Sequence, residues 1–150
     1  MYKIHEIYNE NEFPEGLTRE EFVDFLYTHL DQFGDSKRAI NKCIDFAFEK
    51  NGGLGGFLLA ALEDGKLLGA LIMNKTGMAE YIPENILVYV AVHKDARGKG
   101  LGGNICMKSI DIAEGDVKLH VEYENPAKRL YERLGFTTKY AEMRYVKEEH

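Results

Sequence analysis

ILVYVAVHKDARGKGLGG, residues 86–103, joins an apolar run to four glycines within six positions and to two cations, Arg97 and Lys99. The run 86–92 is apolar at almost every position, the pattern of a central strand covered on both faces. The glycines permit left-handed dihedrals and a close approach of the backbone to a ligand. From Leu101 to about Ala113 the apolar spacing is helical. A strand that empties through a glycine loop into a helix aims backbone N–H groups and the positive helix end at one point, and the partner this implies is an anion. A site is therefore expected where the chain leaves the sheet.

The loop satisfies two patterns. Gly98-x-Gly100-x-x-Gly103 follows a strand, opens a helix and has Glu122 and Glu124 about 20 residues further on, the context of a dinucleotide-binding fingerprint. That fingerprint belongs to the first βα turn of a doubly wound sheet. Here some ninety residues precede it and fewer than fifty follow, which leaves no room for the second half of such a sheet.

Working outward, residues 2–8 alternate as a short strand. Thr18 and Glu21 form a capping box, after which Phe22, Phe25, Leu26 and Leu30 recur at helical spacing. A second helix is predicted from about Ser36, with Ile40, Cys43, Ile44, Ala47 and Phe48 on one face and a stop at Asn51-Gly52-Gly53. FLLAAL and LLGALIM flank Asp64-Gly65 as a hairpin. Downstream, VKLHVE (117–122) alternates as a strand, Asn125-Pro126 opens a helix that ends at Gly135, and Phe136 to about Val146 is β-like. The order β, α, α, β, β, β, α, β, α, β predicts a single α/β domain over residues 1–150, antiparallel in its first half with βαβ crossovers in its second. An edge strand near 140–146 would be a natural pairing site, so both a monomer and a homodimer are compatible with the pattern.

The 150 residues carry a formal net charge of −6, which argues against a nucleic-acid partner because neutralising phosphates requires a basic face. No apolar run approaches the roughly 20 residues of a membrane span, and MYKIHEIYNENE lacks the basic head of a signal peptide, so no membrane partner and a cytoplasmic location are expected. Cys43 and Cys106 sit in apolar helical patterns and read as core residues. No His, Cys, Asp and Glu group has ligand spacing, so no metal is expected.

Arg97-Gly98-Lys99-Gly100-Leu101-Gly102 also resembles the pyrophosphate loop of the GNAT superfamily of acetyl-CoA-dependent N-acetyltransferases, Gln/Arg-x-x-Gly-x-Gly/Ala between the fourth strand and the third helix. ENPAKRLYERLGF (124–136) resembles the family's late helix, with Ala127, Leu130, Tyr131, Gly135 and Phe136 in register. Two departures stand out: Lys94 replaces a common proline, and Glu124 occupies the place, seven residues before the tyrosine, where the family carries an asparagine. The resemblance implies a mixed sheet of six to seven strands with helices on both faces, acetyl-CoA as cosubstrate, and a primary amine attacking directly within a ternary complex.

By the same resemblance, Arg97, Gly98, Lys99, Gly100, Leu101, Gly102 and Gly103 hold the pyrophosphate, while backbone groups of Val90, Ala91 and Val92 meet the pantetheine and the thioester carbonyl. Asn125 either reaches the pantetheine arm or only caps its helix. Tyr131 is implied as proton donor to the CoA sulfur, against the plain alternative of a tyrosine packed by its ring. Glu84, thirteen residues before Arg97, is the implied general base; its competitors are a water relay from Glu122 or His120, and a merely solvated carboxylate. Neither cysteine is placed for a covalent route. A sensing module that binds acetyl-CoA without turnover would share all of these features except the base. The acceptor is shaped in this family by the first two helices and the loops near 31–36 and 74–85, where Asp31, Asp35, Glu80 and Glu84 would make an acidic mouth for a cationic amine.

Overall fold

Two near-continuous apolar runs and one tight turn build the centre of the sheet. Gly56–Glu63 and Lys66–Lys75 pair antiparallel, and the turn residues Asp64 and Gly65 take φ of 50° and 78°, the positive pair that a twisted two-residue hairpin needs. The computed structural model describes residues 1–148. Its chain divides into two units, Met1–Leu119 and His120–His150.

The first unit contains β1 (Lys3–Ile7), α1 (Arg19–Leu30), α2 (Lys37–Ala47), β2 (Gly56–Glu63), β3 (Lys66–Lys75), β4 (Asn85–Val92), α3 (Leu101–Ile112) and β5 (Val117–Leu119). The second contains α4 (Ala127–Leu134). The sheet order is β1-β2-β3-β4-β5, with β4 and β5 parallel and the other neighbours antiparallel. This is not a doubly wound parallel sheet, and the glycine loop follows the fourth strand, so the dinucleotide fingerprint is met in letters only.

Helix starts follow the sequence. Thr18 Oγ1 accepts from Glu21 N at 3.1 Å and Glu21 Oε1 accepts from Thr18 N at 2.9 Å, completing the capping box. Ser36 Oγ accepts from Ala39 N at 3.1 Å to start α2. Phe22, Leu26, Ile40 and Ile44 then join Leu58, Ala60, Ala70, Ile72, Tyr89 and Ala91 in one core cluster, so α1 and α2 cover the same sheet face. α3 covers the other. Gly69, one residue out of step with Ala70, lies so close beneath it that a β-carbon there would stand 2.4 Å from Ile105 Cδ1 and 3.5 Å from Leu101 Cδ2.

Two features of β4 position the site. Ile72 pairs with Tyr89 but Met73 pairs with Leu87, leaving Val88 as an extra residue, a bulge that bends the strand. Pairing with β5 runs only from Asn85↔Val117 to Leu87↔Leu119, so β4 has no β5 neighbour from Val88 onward.

The sequence expectations need correcting at the carboxyl end. The sheet has five strands rather than six to seven. VKLHVE contributes only Val117–Leu119, and residues 136–148 carry no helix or strand. The tail is rich in aromatic and β-branched residues, but residue type is not enough; a strand also needs a partner ladder and a surface to cover. Tyr140, Met143 and Tyr145 are instead 76%, 90% and 90% exposed. The second crossover and the edge strand near 140–146 are therefore absent among the described residues.

Because α3 rests directly on Gly69, Gly69→Val should lower unfolding free energy by about 1–3 kcal/mol through overpacking. Gly69→Ala combined with Ile105→Val, which removes the methyl that the new β-carbon meets, should cost less than the sum of the single changes. Denaturant midpoints measure both, and strict additivity would show that α3 is seated elsewhere.

Candidate active site

β4 delivers the chain to the glycine loop with its outer edge open. His93 N donates to Leu68 O at 2.8 Å, which fixes the alternation of the antiparallel ladder: Ala91 turns its N–H and C=O toward its partner Ala70, while Val90 and Val92 turn theirs away from β3. Of the three residues expected to offer backbone groups, Val90 and Val92 thus face the edge that β5 leaves uncovered, and Ala91 does not.

A short turn, Lys94–Ala96, follows, closed by His93 Nδ1 accepting from Asp95 N at 3.1 Å. His93 is thereby a strand-end cap. Arg97 donates from Nε to Val92 O at 3.2 Å and from Nη2 to His29 O at 2.9 Å. It ties the last turn of α1 to the end of β4, satisfying one carbonyl that the helix cannot satisfy itself.

Gly98 and Gly100 take φ of +80° and +83°, and a β-carbon on either would meet nothing within 4 Å. The requirement is therefore one of dihedral, and the space beside both residues is open to a ligand. Gly100 is the N-cap of α3 and supplies no side-chain cap; Asn104 N, bonded to Gly100 O at 3.1 Å, is the first amide bonded within the helix. The amides of Leu101, Gly102 and Gly103 thus begin a helix with no intrahelical acceptor. Lys99 is exposed in the same loop and Leu101 anchors it with 3% exposure. This cradle of N–H groups, a lysine and a helix N-terminus fits a diphosphate.

An aromatic cluster supports the loop from below. The His29 ring lies 4.5 Å from Phe25 and 4.4 Å from His93, centroid to centroid, and its Nδ1 is buried without a hydrogen-bond partner. Burial, and then His93, Arg97 and Lys94, hold the His29 pKa below the ordinary 6.5. The ring is neutral at pH 7, as a group beside two cations should be.

The head of β4 is fastened differently. Glu84 Oε1 accepts from Asp116 N at 3.0 Å, and Asn85 Nδ2 donates to Glu114 O at 2.7 Å. The Asp116 amide lowers the Glu84 pKa. Near the bulge, Tyr89 OH donates to Asp35 Oδ2 at 2.5 Å, and burial followed by that carboxylate pushes the phenol pKa up. Glu84 and Asp35 therefore turn to different partners, while Asp31 and Glu80 are exposed on separate loops. Sequence reading missed the Tyr89–Asp35 and His29–His93 pairs, which join residues far apart in the chain and leave no local pattern.

In the second unit, Asn125 Oδ1 accepts from Ala127 N at 2.9 Å and so caps α4. Tyr131 is 8% exposed and meets Phe136 edge to face at 6.0 Å. The helix closes with Phe136 N donating to Tyr131 O at 3.0 Å, at a Gly135 with φ of +108°. His120 and Glu122 are exposed. Burial pushes the thiols of Cys43 and Cys106 up to about 12, which leaves neither as a thiolate nucleophile. Among the described residues, no three His, Cys, Asp or Glu side chains come together for a metal, and no helix is long and apolar enough to cross a membrane.

The model of the acetyltransferase (GNAT) family matches residues 2–136. No curated protein matches the chain. Among solved structures it is similar to an aminoglycoside N-acetyltransferase in complex with CoA, at 13% identity and a TM-score of 0.71, covering 98% of this chain and 95% of that one. It is also similar to an aminoglycoside acetyltransferase from an uncultured soil metagenomic sample, with 18% identity, a TM-score of 0.64 and 99% of each chain covered. A third likeness is to the ribosomal-protein-alanine N-acetyltransferase of Brucella melitensis biovar Abortus 2308, with 17% identity, a TM-score of 0.63 and 99% of each chain covered. At these identities the likenesses speak for the fold.

The neutral His29 has a thermodynamic consequence. Its folded pKa lies below the unfolded 6.5, so the unfolded chain binds more protons as acid is added. The stabilisation is present above about pH 6.5 and lost as pH falls toward the folded value. The denaturant midpoint should therefore fall between about pH 7 and pH 5 more steeply in the wild type than in His29→Gln. Equal slopes would show that His29 titrates alike in both states.

Proposed function

The chain belongs to the acetyltransferase (GNAT) family, whose members use acetyl-CoA, and on that premise we propose that it acetylates a primary amine by direct attack within a ternary complex. The observation that carries this reading is the pairing of the diphosphate cradle at Gly98–Gly103 with the open edge of β4. One end of a long anionic thioester would be gripped by the loop, and its arm would lie along a strand that still has backbone groups to offer.

Each residue then has a task. The amides at the start of α3 and the Lys99 ammonium bind the diphosphate, each exposed charge adding about 1 kcal/mol or less. Arg97 acts mainly by locking the loop, since its guanidinium already serves His29 O and Val92 O. The Val90 N–H, aimed at the open edge, is the proposed donor to the thioester oxygen as it gains charge. Tyr131 is proposed to give a proton to the departing sulfur, a role that rests on the resemblance of its helix.

The acceptor must lose a proton, because an alkyl amine with a pKa of about 10.4 is neutral in only about 1 part in 2,500 at pH 7. A general base works best with a pKa near the working pH, and Glu84 is shifted the other way by the Asp116 amide. We therefore favour proton loss through water, with Glu122 or His120 as the relay, and give Glu84 the task of holding the turn before β5.

Thiol release from acetyl-CoA with a panel of amines tests the reading, together with calorimetric acetyl-CoA binding. Tyr131→Phe should lower kcat by about 10²-fold or more with acetyl-CoA affinity unchanged, and full activity would remove it as the acid. Glu84→Gln should cost less than about tenfold; a loss beyond about 10²-fold would restore it as the base. Gly100→Val should weaken acetyl-CoA binding. Binding without release for any amine would identify a sensing module instead.

A further inference from the structure

We propose that a cavity at the head of β4 receives the acceptor, and that the acceptor is a free amino acid with an apolar side chain. The inference rests on the acetyl-transfer reading for its chemistry, but on separate residues for its site. The cavity, about 380 Å³, lies between the last turn of α2, the loop after β3 and the first residues of β4 and β5. Its apolar wall is Phe46, Met78, Ile82 and Ile86. That volume lies in the range of small-molecule sites.

The cavity is also in reach of the chemistry. Ile86 stands two residues before the Val88 bulge, about 7 Å along the strand at 3.3 Å per residue, and four before Val90, about 13 Å. An amine seated here would extend toward the stretch of β4 whose outer edge is open.

Its polar groups select the class of ligand. Lys75 and Lys118 line the cavity, no Asp or Glu does, and neither lysine forms an ion pair among the described residues. In a chain with 25 acidic residues against 19 Lys and Arg, two cations left without partners at one cavity point to an anionic ligand group. A polyamine or aminoglycoside would meet repulsion here. Asn74, 7% exposed, also lines the cavity; its Nδ2 donates to Cys43 O at 3.4 Å and Cys43 Sγ at 3.3 Å, while its Oδ1 has no donor.

The wall is formed in advance. Thr76 Oγ1 donates to Pro83 O at 2.7 Å and accepts from Met78 N at 3.2 Å, and Thr76 N donates to Glu84 O at 2.9 Å. These bonds close residues 76–84 as a fixed loop. An amino acid would place its carboxylate between the lysines, its side chain on the apolar wall and its amine toward the bulge. In the reaction, a nitrogen–carbon bond forms at the thioester carbonyl and the carbon–sulfur bond breaks with its electron pair on sulfur. One proton passes from nitrogen to sulfur, giving the N-acetyl amino acid and free CoA.

The test compares leucine, methionine and phenylalanine with their methyl esters and with spermidine. The readouts are thiol release and, separately, calorimetric binding in the presence of CoA. Free acids should be preferred over esters by about tenfold or more in both readouts. Lys75→Gln/Lys118→Gln should reduce that preference to about twofold or less while acetyl-CoA affinity stays unchanged. Equal use of acid and ester, preference for spermidine, or a preference that survives the double variant overturns the inference. Selective binding of the acids without thiol release leaves the cavity assignment standing and sinks acetyl transfer; turnover of another amine while the amino acids neither bind nor react does the reverse.

Discussion

β4 loses its neighbour partway along, and the chemistry available to this chain follows from that. A strand inside a sheet ordinarily has both edges paired, because a buried amide or carbonyl without a partner costs about 1–3 kcal/mol. Here β5 pairs over Asn85–Leu87 and then stops. The reason lies at the head, where Glu84 and Asn85 fasten the preceding turn through Asp116 N, Asp116 O and Glu114 O. Those bonds set where β5 begins, and its three residues end before the bulge. Beyond it the outward groups of Val90 and Val92 need other partners. Val92 O takes Arg97, and on the proposed reading the Val90 N–H serves the thioester.

An open edge and a loop of positive-φ glycines are both weakly held by themselves. What stiffens them comes from the other side of the sheet. Arg97 reaches the last turn of α1, and the Phe25–His29–His93 stack fills the space beneath the turn. A neutral ring there adds packing without a third positive charge beside Arg97 and Lys94. The conformational entropy that binding would otherwise remove from the loop is thus already lost in the fold, which is the physical content of preorganisation.

Much of this was legible in the sequence, for local reasons. The capping box at Thr18, the Asp64-Gly65 turn, the apolar run 86–92 and the cap at Asn125 each depend on a few adjacent residues, and each formed where expected. What failed was whatever needed a distant partner. Residues 136–146 have the residue types of a strand, yet residue type says nothing about whether a second strand lies alongside. Arg97 was expected to face a phosphate by resemblance; its further engagement with His29 O spans 68 positions and has no local signature. That backbone groups of Val90, Ala91 and Val92 meet the donor was implied by resemblance, but which of them face outward had to come from the His93–Leu68 bond.

On the proposed reading the two ends of β4 would bind charge in opposite ways, and the contrast bears on what each can recognise. At the glycine end the positive field comes from backbone amides and a helix terminus, fixed in direction and shaped for a diphosphate. At the head it comes from two lysine side chains, flexible point charges that tolerate different carboxylate positions. A rigid cradle suits a donor that never varies, whereas flexible lysines around an apolar wall suit a set of related acceptors. The bulge at Val88 lies between them and bends the strand where donor and acceptor have to meet. On that reading, specificity for the donor would lie in φ angles and resist single side-chain changes outside the glycines, while specificity for the acceptor would rest on a few side chains and be open to change by substitution.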